Sequence, residues 1–255
     1  MTEVAERPAP STLERLAGLR RLAIVPALNE EATIGRVIDE IRAFDDGFEI
    51  VVVDDGSADR TADVARGRGA HVLRLPFNLG IGGAVQAGYR FAHDRGFDLA
   101  VQVDGDGQHD PAQLPAILDP VLAGEADMVV GSRFASGGGY RAPLLRRLGI
   151  AIFARTVSWV VGQRVTDTTS GFRAVNSQGI ALFANDYPHD YPEVEATILA
   201  HKHRLRLREV PVGMRVRGGG RSSITPFRSV YYMAKVLLAI FVGLFRKNAV
   251  PQEDR

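Results

Sequence analysis

The chain has 255 residues, 45% of them hydrophobic and 24% charged, enough to bury the core of one large α/β domain or of a domain with an appendage. It contains no cysteine, which excludes disulfides and thiolate metal sites and fits a cytosolic setting. The net charge of +1 hides an asymmetry: residues 201–255 carry 12 Lys/Arg against 3 Asp/Glu, so this end is +9 and the first 200 residues are −8. A basic end of this kind suggests an anionic partner such as phosphates or a membrane surface.

Residues 1–20, with Pro8 and Pro10 among charged residues, lack the apolar stretch of a signal peptide and read as a flexible extension or short loose helix. Leu22–Pro26 reads as a buried strand, and Asn29-Glu30-Glu31 as the capped, acid-rich start of a helix reaching about Ala43. Phe48–Asp54 is a second, almost wholly apolar strand, as expected in a parallel sheet covered on both faces. Asp55–Asp59 turns into a helix ending near Gly67–Gly69, and His71–Leu75 is a third strand. Gly80–Arg95 is a helix in which Gly82, Gly83 and Gly88 mark close packing. Asp98–Asp104 is a fourth strand, Pro111–Ala123 a helix and Asp127–Val130 a fifth strand. This alternation predicts βαβ units and a mostly parallel sheet.

Beyond Gly131 the rhythm changes. Ser136–Gly139 is a glycine loop, Leu144–Val161 an amphipathic helix and Thr166–Gly171 a polar turn. Phe172–Val175 is a short strand and Pro192–His201 a helix. Leu205–Val210, which meets Pro211, is an edge or crossing strand. Arg217–Ser223 is a Gly/Arg/Ser loop, and Thr225–Phe245 is helical with a broad apolar face. The longest uncharged apolar run, Val236–Phe245, is ten residues, short of the roughly 20 that span a bilayer.

The most informative stretch is Asp104-Gly-Asp106-Gly-Gln108-His109, where an apolar strand runs out. Two close carboxylates suit a hard cation such as Mg²⁺ or Mn²⁺, which keeps positions open for phosphate oxygens. Asp and Gly at a strand end also make an ordinary turn. A calcium loop counted from Asp104 fails, because His109 and Pro115 stand where Gly and Glu belong. Open α/β sheets bind ligands at the carboxyl ends of their strands, and Pro26-Ala-Leu-Asn-Glu30 and Asp54-Asp-Gly-Ser57 join the acidic stretch there. There is no G-x-x-x-x-G-K-[ST] loop, and Gly80-Ile-Gly82 lacks the third glycine of G-x-G-x-x-G. A nucleotide would therefore be held by carboxylates, backbone and metal.

Pro26–Glu31, Val51–Ser57, Asn78-Leu-Gly80 and Asp104–His109 together resemble the family 2 glycosyltransferases. Val130-Gly-Ser-Arg133 and Thr169-Ser-Gly-Phe-Arg173 are similar to the branch with dolichyl-phosphate mannose synthase and bacterial polyprenyl-phosphate glycosyltransferases. The resemblance covers about Leu22 to Ser223 and implies the Rossmann-like GT-A fold over residues 21–223, followed by a basic amphipathic helical segment at 224–255. It implies that Pro26, Leu28, Glu30, Val53, Asp55 and Asp104 bind the nucleotide and that Asp104, Asp106 and Gln108 hold Mg²⁺ or Mn²⁺ on the donor diphosphate. Arg133 would meet the sugar or the acceptor phosphate, and Arg217, Arg221 and Ser222 would close on phosphates in a loop where Ser223 replaces the family's Lys.

The implied reaction is an inverting, metal-dependent transfer of a sugar from a nucleotide-sugar such as GDP-mannose or UDP-glucose to a polyprenyl or dolichyl phosphate. Asp106, Arg133 and Asp167 are its expected catalytic groups. A lipid phosphate is already anionic and needs no base, whereas a hydroxyl acceptor does, with Asp167, Glu193 and Glu195 as candidates. His109, beside the acids, is placed to reach phosphate or metal. A hydroxyl-acceptor transferase, a nucleotidyltransferase and a non-catalytic nucleotide-binding protein are the alternatives. The C-terminal helix would pack on the domain, pair a homo-oligomer, or lie in a membrane interface. The expected setting is cytoplasmic and peripheral on the inner membrane face, alone or with a separate membrane protein, and with no nucleic acid partner.

Overall fold

The computed structural model describes residues 10–134, 154–189 and 191–215. Arg217, Arg221, Ser222, the Ser136–Gly139 loop and the C-terminal helical segment lie outside the described residues, as does the first part of the helix expected at Leu144–Val161.

Strands β1 (Arg21–Ala27), β2 (Phe48–Asp54), β3 (His71–Arg74) and β4 (Leu99–Gln102) alternate with helices α2 (Ile34–Phe44), α3 (Thr61–Gly67) and α4 (Gly80–Asp94). A 3₁₀ turn at Pro111–Gln113 leads into α5 (Leu114–Leu122), then β5 (Met128–Ser132). Helix α6 occupies residues 154–161. Strand β6 (Arg173–Asn176), helices α7 (Ser177–Asn185) and α8 (Pro192–Lys202), and strand β7 (Leu207–Pro211) complete the order. Among the described residues the sheet has seven strands in the order β3-β2-β1-β4-β6-β5-β7. It is parallel except for β6, which runs antiparallel between β4 and β5. Strand β7 is an edge, as Pro211 at its end predicts.

Strand alternation sends successive β1 residues to opposite faces. Ala23 and Val25 join the cluster that α2 and α5 cover through Ile34, Ile38, Ile41, Leu114 and Ile117. Leu22 and Ile24 join the other, with Val85 and Tyr89 of α4 and Ile180 and Phe183 of α7. Helix α4 lies directly on β1 because Gly88 has no side chain: a Cβ there would stand 2.3 Å from Ile24 Cγ2. Gly82 likewise lets α4 approach the Pro188 carbonyl, so these glycines do mark close packing.

Two expectations are corrected. Residues 10–20 are not a loose tail, since helix α1 (Thr12–Leu16) has a Ser11/Glu14 capping box and Leu16 is wholly buried in the core. Asn29 does not cap α2, which starts at Ile34 after Thr33. Asn29 instead adopts φ 55°, a left-handed turn that asparagine tolerates. Helix α7 was not anticipated; its start is fixed by the Asn176 side chain, which accepts from the N–H groups of Gln178 and Gly179.

Candidate active site

Topology brings the polar segments together. Strands β1, β2, β4, β5 and β7 end at one edge of the sheet, and antiparallel β6 starts there. The residues after β1, β2, β4 and β5, those before β6, and those after β7 therefore share one rim.

The first two rim loops are laced by side-chain to backbone bonds. Asn29 N–H donates to Ser57 Oγ at 2.9 Å, and Asn29 Oδ1 accepts from Ala58 N–H at 2.9 Å. Glu30 N–H donates to Thr61 Oγ1 at 2.8 Å. Buried Asp55 accepts from the N–H groups of Leu79 and Gly80, at 2.7 and 3.0 Å, and so holds the Asn78–Gly80 turn against the loop. Leu28 is exposed and Glu30 half-buried at this edge. Of the other residues expected to meet a nucleotide, Val53 is buried inside the core and Pro26 is buried with its carbonyl accepting from Gly105 N–H at 3.1 Å.

The acidic loop is held from four sides. Thr33 Oγ1 lies 2.8 Å from the Gly105 carbonyl and 2.9 Å from Glu30 Oε2, joining the loop to the β1 end. Asp106 accepts from Gln108 N–H at 3.0 Å and Gln108 Nε2 at 2.6 Å. Gln102 Nε2 donates to Asp104 Oδ1 at 3.2 Å. Asp104 N–H donates to His109 Nδ1 at 3.0 Å, so Nε2 carries the ring proton, and it faces Asp104 Oδ2 at 3.6 Å. His109 is buried against Phe172, with ring centroids 5.0 Å apart. This rules out His109 as a metal ligand, because its one lone pair is taken by backbone. On the far side Arg215 N–H donates to the Gln108 carbonyl, and its guanidinium bridges Glu40 and Asp110 at 2.6 and 2.7 Å.

The residues after β5 and before β6 form a second polar group. Arg133 pairs with Asp167 through Nε (2.7 Å) and Nη2 (2.8 Å), and Nη2 also donates to Thr169 Oγ1. Burial pushes the Asp167 carboxyl up, but Arg133 and the N–H groups of Arg133 and Thr169 outweigh it and leave it below the usual carboxylate range. Glu209 of β7 holds the turn beneath by accepting from Thr166 N–H and Oγ1 and from Asp167 N–H.

Between the two groups sit Glu193 and Arg173. Burial pushes the Glu193 carboxyl up; Arg173 and Arg133 pull it down and the Asp104 charge adds to the rise. Arg173 is wholly buried, donating through Nε to the Ser170 carbonyl and through Nη2 to that of Glu193. Its Nη1 has no hydrogen-bond partner, nor has Gln102 Oε1, its register neighbour on β4. Glu195, the third candidate base, lies in the first turn of α8.

The donor set suits a hard divalent cation. Asp104 and Asp106 offer carboxylate oxygens and Gln108 an amide oxygen. A Cβ on Gly171 would stand 3.1 and 3.2 Å from the two Asp104 carboxylate oxygens, so glycine there keeps that carboxylate clear. Among the described residues no cluster of three or more His, Cys, Asp or Glu could hold a metal. Two carboxylates leave most coordination positions to other oxygens, which fits a cation shared with a diphosphate.

The sequence itself shows the kinship. The family model for "Glycosyl transferase family 2" matches residues 22–183, the span from β1 to α7. The chain belongs to this family. It is similar to the undecaprenyl-phosphate mannosyltransferase of Micrococcus luteus, with 33% identity over 227 residues, covering 81% of this chain and 88% of that one. It is also similar to the polyprenol monophosphomannose synthase of Mycolicibacterium smegmatis, with 32% identity over 216 residues and 81% of each chain covered. Among solved structures, glucosyl-3-phosphoglycerate synthase of Mycobacterium tuberculosis, in complex with Mn²⁺, uridine diphosphate and glucosyl-3-phosphoglycerate, superposes with a TM-score of 0.68 at 26% identity. That match covers 93% of this chain and 85% of the other. Family membership and fold agree with the GT-A architecture, and the sheet is mainly parallel with helices on both faces.

The site residues that sequence reasoning passed over are Thr33, Gln102 and Arg215, while Arg173 belongs to a quoted motif but had no role assigned. Gln102 carried a signal, as the one polar residue inside Leu99–Val103. Thr33 and Arg215 carried none, since their contacts join segments far apart in the chain.

Proposed function

We propose that the protein transfers a sugar from a nucleotide diphosphate-sugar to a polyprenyl phosphate, with inversion at the anomeric carbon. The observation that carries this reading is the single rim on which a two-carboxylate cation loop faces an arginine paired to a buried aspartate. The relatives named for polyprenyl-phosphate substrates support the acceptor.

In this reading Leu28, Glu30 and the Asn78–Gly80 turn held by Asp55 receive base and ribose. Asp104, Asp106 and Gln108 hold Mg²⁺ or Mn²⁺, which when bound offsets charge developing on the leaving nucleoside diphosphate. Asp167 keeps Arg133 extended at the rim, where its charge meets the acceptor phosphate. Asp167 therefore acts as an anchor for Arg133 rather than as a base. The phosphate acceptor attacks in its own anionic form, so no protein group removes a proton.

One observation favours a second reading with a hydroxyl acceptor: Glu193 is a half-buried carboxyl with raised proton affinity at the start of α8, suited to accepting a proton. The test is a donor screen. Purified full-length chain is incubated with Mn²⁺ or Mg²⁺, a short polyprenyl phosphate in detergent, and GDP-mannose, UDP-glucose, UDP-galactose, UDP-N-acetylglucosamine or dTDP-sugars. Mass spectrometry of a metal-dependent glycosyl phospholipid supports the proposal. Nucleoside diphosphate released only with a hydroxyl acceptor overturns it in favour of the second reading.

A further inference from the structure

From Met128 to Thr166 the sequence contains six arginines (Arg133, Arg141, Arg146, Arg147, Arg155 and Arg164) and no Asp, Glu or Lys. The two ends of this excursion are joined at the rim. Ser132 Oγ lies 2.8 Å from Thr166 Oγ1, and Arg133 is bidentate on Asp167.

Helix α6 is the described part of its interior. One face packs into a small cluster through Val157 and Val161, against Val165, Val194 and Ile198. Ser158 Oγ accepts from Val165 N–H at 2.9 Å, so the helix is fixed to the turn that carries Thr166 and Asp167. The opposite face presents Arg155 and, four residues on, Trp159, which share one side of a helix. Trp159 is 77% exposed, the most exposed of the large hydrophobic side chains among the described residues. Exposed Arg164 follows directly after the helix.

A solvent-facing tryptophan among cations, with no carboxylate in the segment, is ill suited to water and well suited to a bilayer interface. The indole ring settles at headgroup depth, and guanidinium groups meet anionic headgroups. We infer that the outer face of α6, which presents Arg155 and Trp159 and is followed in the chain by exposed Arg164, docks the protein on an anionic lipid surface. This rests on the polyprenyl-phosphate reading and deepens it. The docking face and Arg133 are linked through Ser158, Val165, Thr166 and Asp167, so docking would tether the arginine proposed to bind the lipid phosphate to the same surface.

Trp159 is the only tryptophan in the chain, so its fluorescence reports this face alone. The experiment adds vesicles of phosphatidylcholine with or without phosphatidylglycerol to the full-length protein. It records emission wavelength, quenching by brominated lipids and co-sedimentation. The inference expects solvent-exposed emission without vesicles, and a blue shift with bromolipid quenching only when phosphatidylglycerol is present. Replacing both Arg155 and Arg164 with Gln should weaken partitioning roughly twenty-five-fold, from a factor of about five per cation. The variant's transfer to detergent-dispersed polyprenyl phosphate should be unchanged, which also shows that it folds.

Emission already blue-shifted and protected without vesicles would mean that this chain or a second copy covers the face, and would overturn the inference. Co-sedimentation with no change at Trp159 would place membrane contact elsewhere and overturn it too, as would an equal response to pure phosphatidylcholine. Each of these results leaves transfer in detergent intact, so failure of the docking face is separable from failure of the proposed reaction.

Discussion

Asp104 and Asp106 belong to one loop but are held differently. Asp104 is steadied by Gln102, by His109 and by the bare backbone of Gly171, whereas Asp106 is steadied by Gln108, itself a proposed cation ligand. Asp106→Ala should therefore leave the core untouched and lower turnover by roughly 10²–10³-fold or more, through lost stabilisation of the leaving group. Thermal melting and a transfer assay check this together, and a folded mutant with full turnover would remove the metal-binding role. Gly171→Ala acts on Asp104: the new methyl would stand 2.8 Å from Gln102 Nε2 and crowd the carboxylate. Mn²⁺ titration in the presence of nucleotide should show weaker apparent affinity at a nearly unchanged melting temperature. Glu193→Gln separates the two acceptors. It removes a base, so a hydroxyl-acceptor enzyme should lose about 10²–10⁴-fold in turnover, whereas transfer to a lipid phosphate should keep most of it.

At the scale of elements, the paired ends of β5, β6 and β7 are tied by Asp127. It accepts from Arg206 Nη2 at 2.7 Å, Nε at 3.0 Å and backbone N–H at 2.8 Å, and from Asn176 Nδ2 at 2.9 Å. The Arg206 side chain, working against burial, is the main cause of a carboxyl pKa pulled down to about 2. A depressed folded value stabilises the protein above the ordinary aspartate value of 3.8, and that contribution is lost as pH falls toward 2. With the arginine largely exposed, Asp127→Asn should cost about 1 kcal/mol at pH 7. Denaturant melts should show the deficit shrinking as pH drops from 4 to 2; a deficit that is constant with pH would assign it to packing. What is legible in the sequence follows from how local its cause is. Strands β1, β2 and β4 are legible because nearly every residue is apolar, and the rim acids because they stand where those strands stop. Asn29 before two acids satisfies the pattern of a helix cap, and only the Ser57 and Ala58 contacts from another loop show that it serves a left-handed turn. Val53 is expected at the nucleotide only through the family resemblance, and strand alternation turns its side chain into the core.

For the whole molecule, the proposed cation and nucleotide sites should depend on each other, since the described residues include no group of three or more His, Cys, Asp or Glu that could hold the metal alone. Calorimetry should find weak Mn²⁺ binding alone and at least tenfold tighter binding with UDP or GDP present. Equally tight binding without nucleotide would show a complete protein cage. The strand order has a further consequence. Strands β1 to β4 come from one continuous stretch joined by short crossovers, so this half of the sheet forms as synthesis proceeds. Strand β5 has no sheet neighbour until β6 and β7 emerge, more than 40 residues later. Assembly thus runs in two acts: the half proposed to hold the nucleotide is local and early, and the half bearing Arg133 closes late over long sequence separations. The seam between β4 and β6 also separates the loops proposed to hold the nucleotide from Arg133, proposed to meet the acceptor.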